Sequence, residues 1–214
     1  MMNLNSDNRK TRDNILVNMP YFAGLLIFLL MALSTAYSRA DATELDLIKK
    51  AEKTIQNIST LQAEFTQISS DGSYAIGKLY FRRPFQMRLE YEIEEPYNVI
   101  TTRKLLIIDE PAKKRAMNYP VSDTPFALLL KDKVSLIGDD FSTSSKISDG
   151  LIEITLSKDT GDSAGKLKLL FQPDDMNLRG WIIVDTLGVK TTVTLQNEIY
   201  GKKLKNNLFG RPIY

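Results

Sequence analysis

Between Glu44 and Ser59, the apolar residues Leu45, Ile48, Ala51, Ile55 and Ile58 return every three or four positions, which predicts an amphipathic helix of about four turns. At Leu61 the period drops to two. Leu61, Ala63 and Phe65 alternate with Gln62, Glu64 and Thr66, the pattern of a strand. Asp71-Gly72 is a turn dipeptide, after which Tyr74–Arg83 reads as a second strand that Pro84 stops or marks as an edge. The cleanest alternation runs over Gln86–Ile93. Met87, Leu89, Tyr91 and Ile93 face one way and Gln86, Arg88, Glu90 and Glu92 the other, as in a half-buried antiparallel strand. Further strand-like runs are Tyr97–Thr102, Lys104–Asp109, Lys113–Tyr119, Leu151–Ser157, Lys166–Gln172, Trp181–Asp185 and Val189–Gln196.

One segment interrupts the series. Ser122-Asp123-Thr124-Pro125 offers a cap and a proline suited to a first helical turn, and Phe126–Leu130 then predicts a short helix apolar on nearly every side. With no repeat and no linker after the leader, the pattern predicts one mainly β domain with some α. It is a meander of about ten strands with one N-terminal helix and a mid-chain helical insert, bent into a strongly curved sheet or partial barrel.

The first forty residues fall outside this pattern. Arg9, Lys10 and Arg12 precede an apolar run from Tyr21 to Leu33, and Ser38-Arg39-Ala40 places small residues where a signal peptidase reads them. A basic flank, a short apolar stretch and a small-x-small exit predict a cleavable secretory signal peptide over 1–40 and a folded domain over 41–214. The competing reading is a membrane anchor, but the strongly apolar core is shorter than the ~20 residues a spanning helix needs. Initiation at Met1, Met2 or Met19 leaves export intact.

The leader also changes the charge. The whole chain has 28 basic and 26 acidic residues, but removing residues 1–40 leaves 24 of each, so the domain is neutral and carries no electrostatic footprint for nucleic acid. The clusters Lys113-Lys114-Arg115 and Lys202-Lys203 read as solvated turns. Cysteine and histidine are both absent. That removes disulfides, lipidation of the chain itself, Ser-His-Asp and Cys-His triads and histidine-ligated zinc. Gly161–Leu167 is one residue short of phosphate-loop spacing and reads as a hairpin turn. The acidic pairs Glu94-Glu95, Asp139-Asp140 and Asp174-Asp175 point to opposite faces of an extended chain and form no dyad. No enzyme, metal or cofactor is expected.

Strand parity puts Arg83 on the side of Leu79 and Phe81. If those two face the interior, so does a guanidinium, which is costly unless paired. Parity alone also permits Arg83 to snorkel to water beside Arg82. The sequence resembles the outer-membrane lipoprotein carrier protein family. The matching stretches are Leu61-Gln62-Ala63-Glu64-Phe65-Thr66-Gln67, Gly77-Lys78-Leu79-Tyr80-Phe81-Arg82-Arg83-Pro84, Glu95-Pro96, Thr124–Leu130, Trp181–Asp185 and Phe209-Gly210-Arg211-Pro212, in the family's order.

The resemblance implies an unclosed antiparallel β-barrel covered by a helical lid. The lid would be carried by Leu45, Ile48 and Ile55 of the first helix and Phe126, Leu129 and Leu130 of the insert. Arg83 would latch that lid, over an acyl-chain cavity of Leu79, Phe81, Met87, Leu89, Tyr91 and Ile93. It further implies a monomeric periplasmic carrier that takes acylated lipoproteins from an inner-membrane ABC-type release complex to an outer-membrane receptor. A periplasmic binder of free lipids or other hydrophobic ligands is the alternative. The chain departs from the family in the aliphatic stretch Thr101–Pro111 and in having Met87 and Leu89 where larger aromatics are usual. N-terminal sequencing of the exported protein should read from Asp41; an intact leader in a carbonate-resistant membrane fraction would contradict this.

Overall fold

The computed structural model describes residues 43–124, 126–158 and 165–214. Residues 1–42, 125 and 159–164 lie outside the described residues, and with them the predicted leader and most of the hairpin turn expected at Gly161–Leu167. Helix α1 covers residues 43–57. Six strands follow as a meander: β1 (Thr60–Ser69), β2 (Tyr74–Arg82), β3 (Gln86–Tyr91), β4 (Tyr97–Thr101), β5 (Leu105–Glu110) and β6 (Arg115–Pro120). The one-turn helix α2 (Ala127–Leu130) leads to a second meander: β7 (Ser142–Ser148), β8 (Leu151–Lys158), β9 (Gly165–Phe171), β10 (Leu178–Val184) and β11 (Lys190–Tyr200).

All eleven strands form one antiparallel sheet in the order β6-β5-β4-β3-β2-β1-β11-β10-β9-β8-β7. The two meanders are joined where β1 pairs with β11, Phe65 opposite Leu195. The sheet is unclosed, since β6 and β7 remain its edges. Ten of the strands lie where the alternation predicts them. The eleventh, β7, is Ser-Thr-Ser-Ser-Lys-Ile-Ser, a polar edge strand with almost no apolar signal to find. Its N–H at Ser145 is taken by the Glu44 carboxylate of α1 at 2.7 Å.

One face of the sheet holds the core. Leu61, Ala63, Phe65, Leu79, Met87, Leu89 and Tyr91 from the first meander meet Ile152, Ile154, Leu156, Leu167, Leu169, Phe171, Trp181, Val193 and Leu195 from the second. Helix α1 adds Ile48, Ala51 and Ile55, the apolar stripe predicted from its period. The opposite face carries a smaller cluster. Ile100 and Ile107 sit directly opposite each other on the side of Arg88 and are each 1% exposed. The segment after β11 is tied to that side, with Arg82 Nη1 donating to the Leu204 carbonyl at 3.2 Å and Arg88 Nη1 to that of Leu208 at 3.3 Å. The Arg82 guanidinium stacks 4.7 Å over the buried Phe209 ring.

Gly77 has a packing reason. It stands directly between Phe65 on β1 and Tyr91 on β3, whose rings meet edge to face across it at 5.1 Å. A methyl group there would lie 2.7 Å from Phe65 Cζ and collide with the Glu90 carbonyl. Gly77→Ala should therefore lower stability by about 1–3 kcal/mol, read as a lower urea midpoint at unchanged slope; a midpoint equal to the parent's would show that the row relaxes freely.

Candidate functional site

The chain reverses between β2 and β3 through Arg83, Pro84 and Phe85, with a cis Arg83–Pro84 peptide bond and Phe85 at φ 66°. Arg83, one residue past β2, continues the parity of Leu79 and Phe81 and reaches the cavity on the core side of the sheet. That cavity is lined by Leu61, Leu79, Phe81, Met87, Leu178 and Trp181 from the sheet side. Ile55 and Ile58 from the end of α1 and Phe126, Leu129 and Leu130 around α2 cover it, and Arg83 is its one charged lining group. Trp181 and Phe126 brace one wall edge to face at 5.2 Å.

Four donor–acceptor pairs hold the guanidinium. Nη2 donates to the Ile55 carbonyl at 2.9 Å and Nε to that of Ile58 at 3.3 Å, both at the end of α1. Nη1 donates to the Leu129 carbonyl at 2.9 Å and also to that of Lys131. These acceptors belong to helix ends, where carbonyls lack intrahelical partners and the helix dipole favours a cation. The backbone adds Arg83 N–H to Ser59 C=O at 2.8 Å and Phe85 N–H to Leu130 C=O at 2.7 Å. Arg83 also lies 5.3 Å from the Phe81 ring centroid. Burial pulls its pKa down from the ordinary value, opposed by the negative charge of Asp132. An arginine starts so high that it stays charged.

The cavity measures about 50 Å3. An engineered apolar cavity of ~150 Å3 admits a benzene molecule, so nothing the size of an acyl chain fits while α1 and α2 stay in place. A second, partly polar cavity of about 240 Å3 lies beside α2, between Leu128, Lys131, Phe141, Leu156 and Leu167.

Of the residues named from the sequence, Leu79, Phe81, Met87, Ile55, Phe126, Leu129, Leu130 and Arg83 meet at this one cavity. Leu89, Tyr91 and Ile48 are buried in the adjoining core and are not among its lining residues. Ile93 is 37% exposed. β3 ends at Tyr91, and beyond the last paired residue alternation no longer fixes which way a side chain points. Leu45 is 42% exposed; three positions before Ile48, it sits at the margin of the buried stripe of α1. Sequence reasoning missed Leu61, Ile58, Leu178 and Trp181 as lining residues. The inward side of Leu61 and Ile58 was readable, but Leu178 precedes the predicted strand and faces the same side as Trp181 only through the register shift between Leu178 and Gly180. Which inward residues border a gap depends further on how α1 and α2 cross the sheet.

The site is thus an apolar cavity on an unclosed sheet, under two helices, with one guanidinium at its margin. The sequence profile of the outer membrane lipoprotein carrier protein LolA family matches residues 56–211, and the chain belongs to that family, whose members are periplasmic carriers and not enzymes. It is 26% identical over 192 residues to the outer-membrane lipoprotein carrier protein of Azotobacter vinelandii, covering 85% of this chain and 89% of that one. The corresponding protein of Pseudomonas fluorescens strain Pf-5 is 25% identical over 179 residues, covering 79% and 84%. A LolA superfamily protein of Nitrosomonas europaea aligns in structure with a TM-score of 0.46 at 10% identity, over 78% of this chain and 97% of that one.

Trp181, the chain's one tryptophan, forms part of the cavity wall. A brominated long-chain fatty acid should therefore quench its emission saturably, and Leu79→Glu should weaken the quenching. Full emission at saturating brominated lipid would place any bound chain elsewhere.

Proposed function

We propose that this protein is a periplasmic carrier that shields the acyl chains of lipoproteins released from the inner membrane by an ABC-type complex and delivers them to an outer-membrane receptor. The helices α1 and α2 act as a lid over the acyl site, and Arg83 is the latch. Each buried methylene contributes about 0.8 kcal/mol, so one acyl chain of some fifteen carbons holds to a membrane by about 12 kcal/mol. A client with two or three chains needs a comparably apolar shelter to cross water. The same shelter, standing open and empty, would be an exposed apolar patch.

The observation that carries the reading is the guanidinium of Arg83 bonded to main-chain carbonyls of both helices at the margin of the apolar cavity. The empty carrier is closed by bonds that an incoming acyl chain must break. Those bonds stabilise the empty state relative to the loaded one, which weakens binding and favours hand-off. The neutral domain and the sheet lined with aliphatic side chains support the same reading.

Arg83→Leu should therefore still accept lipoprotein but release it slowly. Hydrogen bonds to a charged group contribute roughly 1.5–3 kcal/mol, which corresponds to about ten- to a hundredfold in retention. Leucine removes the charge together with its need for partners, so the variant should fold. The measurement is client remaining on the carrier before and after purified receptor is added. A folded Arg83→Leu carrier that unloads as fast as the parent would return Arg83 to a snorkelling role.

A further inference from the structure

Arg83 is not the only polar tie that α1 makes. Three side chains of α1 reach the chain that follows α2. The Gln56 amide donates Nε2–H to the Asp132 carbonyl at 2.9 Å and accepts the Val134 N–H at 2.8 Å. The Glu52 carboxylate accepts the Leu136 N–H at 2.8 Å and the Ser135 hydroxyl at 3.1 Å, both on Oε2. Glu44, the second residue of α1, accepts the Ser145 N–H at 2.7 Å. Positions 44, 52 and 56 are multiples of four apart and so form a slowly turning stripe along one flank of a helix. The chain from 132 to 145 runs down that stripe antiparallel to α1. Val134 and Leu136, whose amides are taken, also bury their side chains, at 7% and 0% exposure, in the cluster that holds Ile48, Ala51 and Ile55.

We propose that Glu52 and Gln56 are positioning residues that fasten segment 132–136 to α1, so that α1, α2 and this segment move as one body when the site opens. The inference rests on the reading of Arg83 as the latch. Its physical basis is the contrast between two seams. Between α1 and the segment there are three side-chain bonds to main-chain groups, one of them to a carboxylate, and two buried apolar anchors. Charge-assisted bonds of this kind are about twice as strong as neutral ones. The one hydrogen of the Ser135 hydroxyl is shared between Glu52 Oε2 at 3.1 Å and the Ile137 carbonyl at 2.7 Å. Between this body and the β2–β3 turn stand the Arg83 contacts and the Phe85 N–H. Arg83 lines the cavity that an acyl chain would enter, and neither Glu52 nor Gln56 does. Gln56 and Glu52 thereby fix where the Leu129 and Lys131 carbonyls stand relative to those of Ile55 and Ile58. One guanidinium can serve all four only if α1 and α2 arrive together.

Amide hydrogen exchange separates the two seams without any client. In Arg83→Leu, the Phe85 N–H should exchange about tenfold faster or more, while Val134 and Leu136 stay within about twofold of the parent. Val134 and Leu136 losing protection in step with Phe85 would overturn the proposal, because the two helices would then part. In Glu52→Ala/Gln56→Ala with Arg83 intact, Val134 and Leu136 should be the amides that accelerate about tenfold, and Glu52→Gln, which keeps an acceptor, should restore Leu136. Unchanged protection in the double variant would also overturn it.

A second measurement stands if Arg83→Leu fails to fold. The chain has no cysteine, so Glu52→Cys/Ser135→Cys can be joined by a short bis-maleimide that alkylates both thiols. The linked and unlinked forms should bind a dansylated fatty acid equally. Loss of binding on linking would mean the seam must open and would refute the single body. Absence of dansyl binding in the unmodified parent would instead count against the acyl-carrier reading, leaving the exchange pattern to decide this one.

Discussion

A guanidinium cannot be left among apolar side chains without partners, and this requirement organises the site. Arg83 is drawn to the cavity margin because it follows Leu79 and Phe81 at strand parity, and there the available acceptors are main-chain carbonyls at the ends of α1 and α2. Helix ends always have such carbonyls to spare. The pairing therefore solves two problems at once, satisfying a charge at the apolar margin and supplying donors to carbonyls at the ends of two helices. The closed geometry, the small volume of the cavity and the placement of α2 all follow from where those acceptors stand.

The closed state is held by polar bonds and not by apolar packing alone. Apolar contacts are non-directional, so a roof held only by them would slide over an entering chain and keep most of its energy. Hydrogen bonds to a fixed fork of donors are lost over a short displacement. On the proposed reading of Arg83 as a latch, these few polar pairs would add to the apolar contacts of α1 and α2 a cost of opening that does not depend on how much apolar surface the ligand buries.

Much of this was legible in the sequence because the main elements use unmixed periods. The α1 stripe of Ile48, Ala51 and Ile55 and the β3 alternation of Met87, Leu89 and Tyr91 were readable because each faces a core on one side only. For Arg83, parity left an inward guanidinium and a snorkelling one both open, and the family resemblance pointed to the inward one. What could not be read falls into two kinds. β7 is polar on both faces and lies at an edge, so its pairing is fixed by the backbone of β8 and by Glu44, neither of which leaves a hydrophobic pattern. The limits of the cavity, which exclude Leu89, Tyr91 and Ile93 and include Leu178 and Trp181, depend on the crossing of two helices over a curved sheet. Glu52 and Gln56 belong to this second kind, since their partners lie 76 to 84 residues away along the chain.

An unclosed sheet keeps what a closed barrel gives up, two strands whose outer backbone groups face no partner strand. Such edges template pairing between molecules, and a protein crowded among others of its kind would be exposed to polymerisation through them. The two edges here are poor templates. β7 consists of serine and threonine apart from Lys146 and Ile147, and has the Ser145 N–H already occupied by the Glu44 carboxylate. β6 begins at Arg115 and ends at Pro120, whose nitrogen has no hydrogen to donate. The polar character that hid β7 from hydrophobic pattern analysis is what keeps an open-sided fold from growing into a fibre.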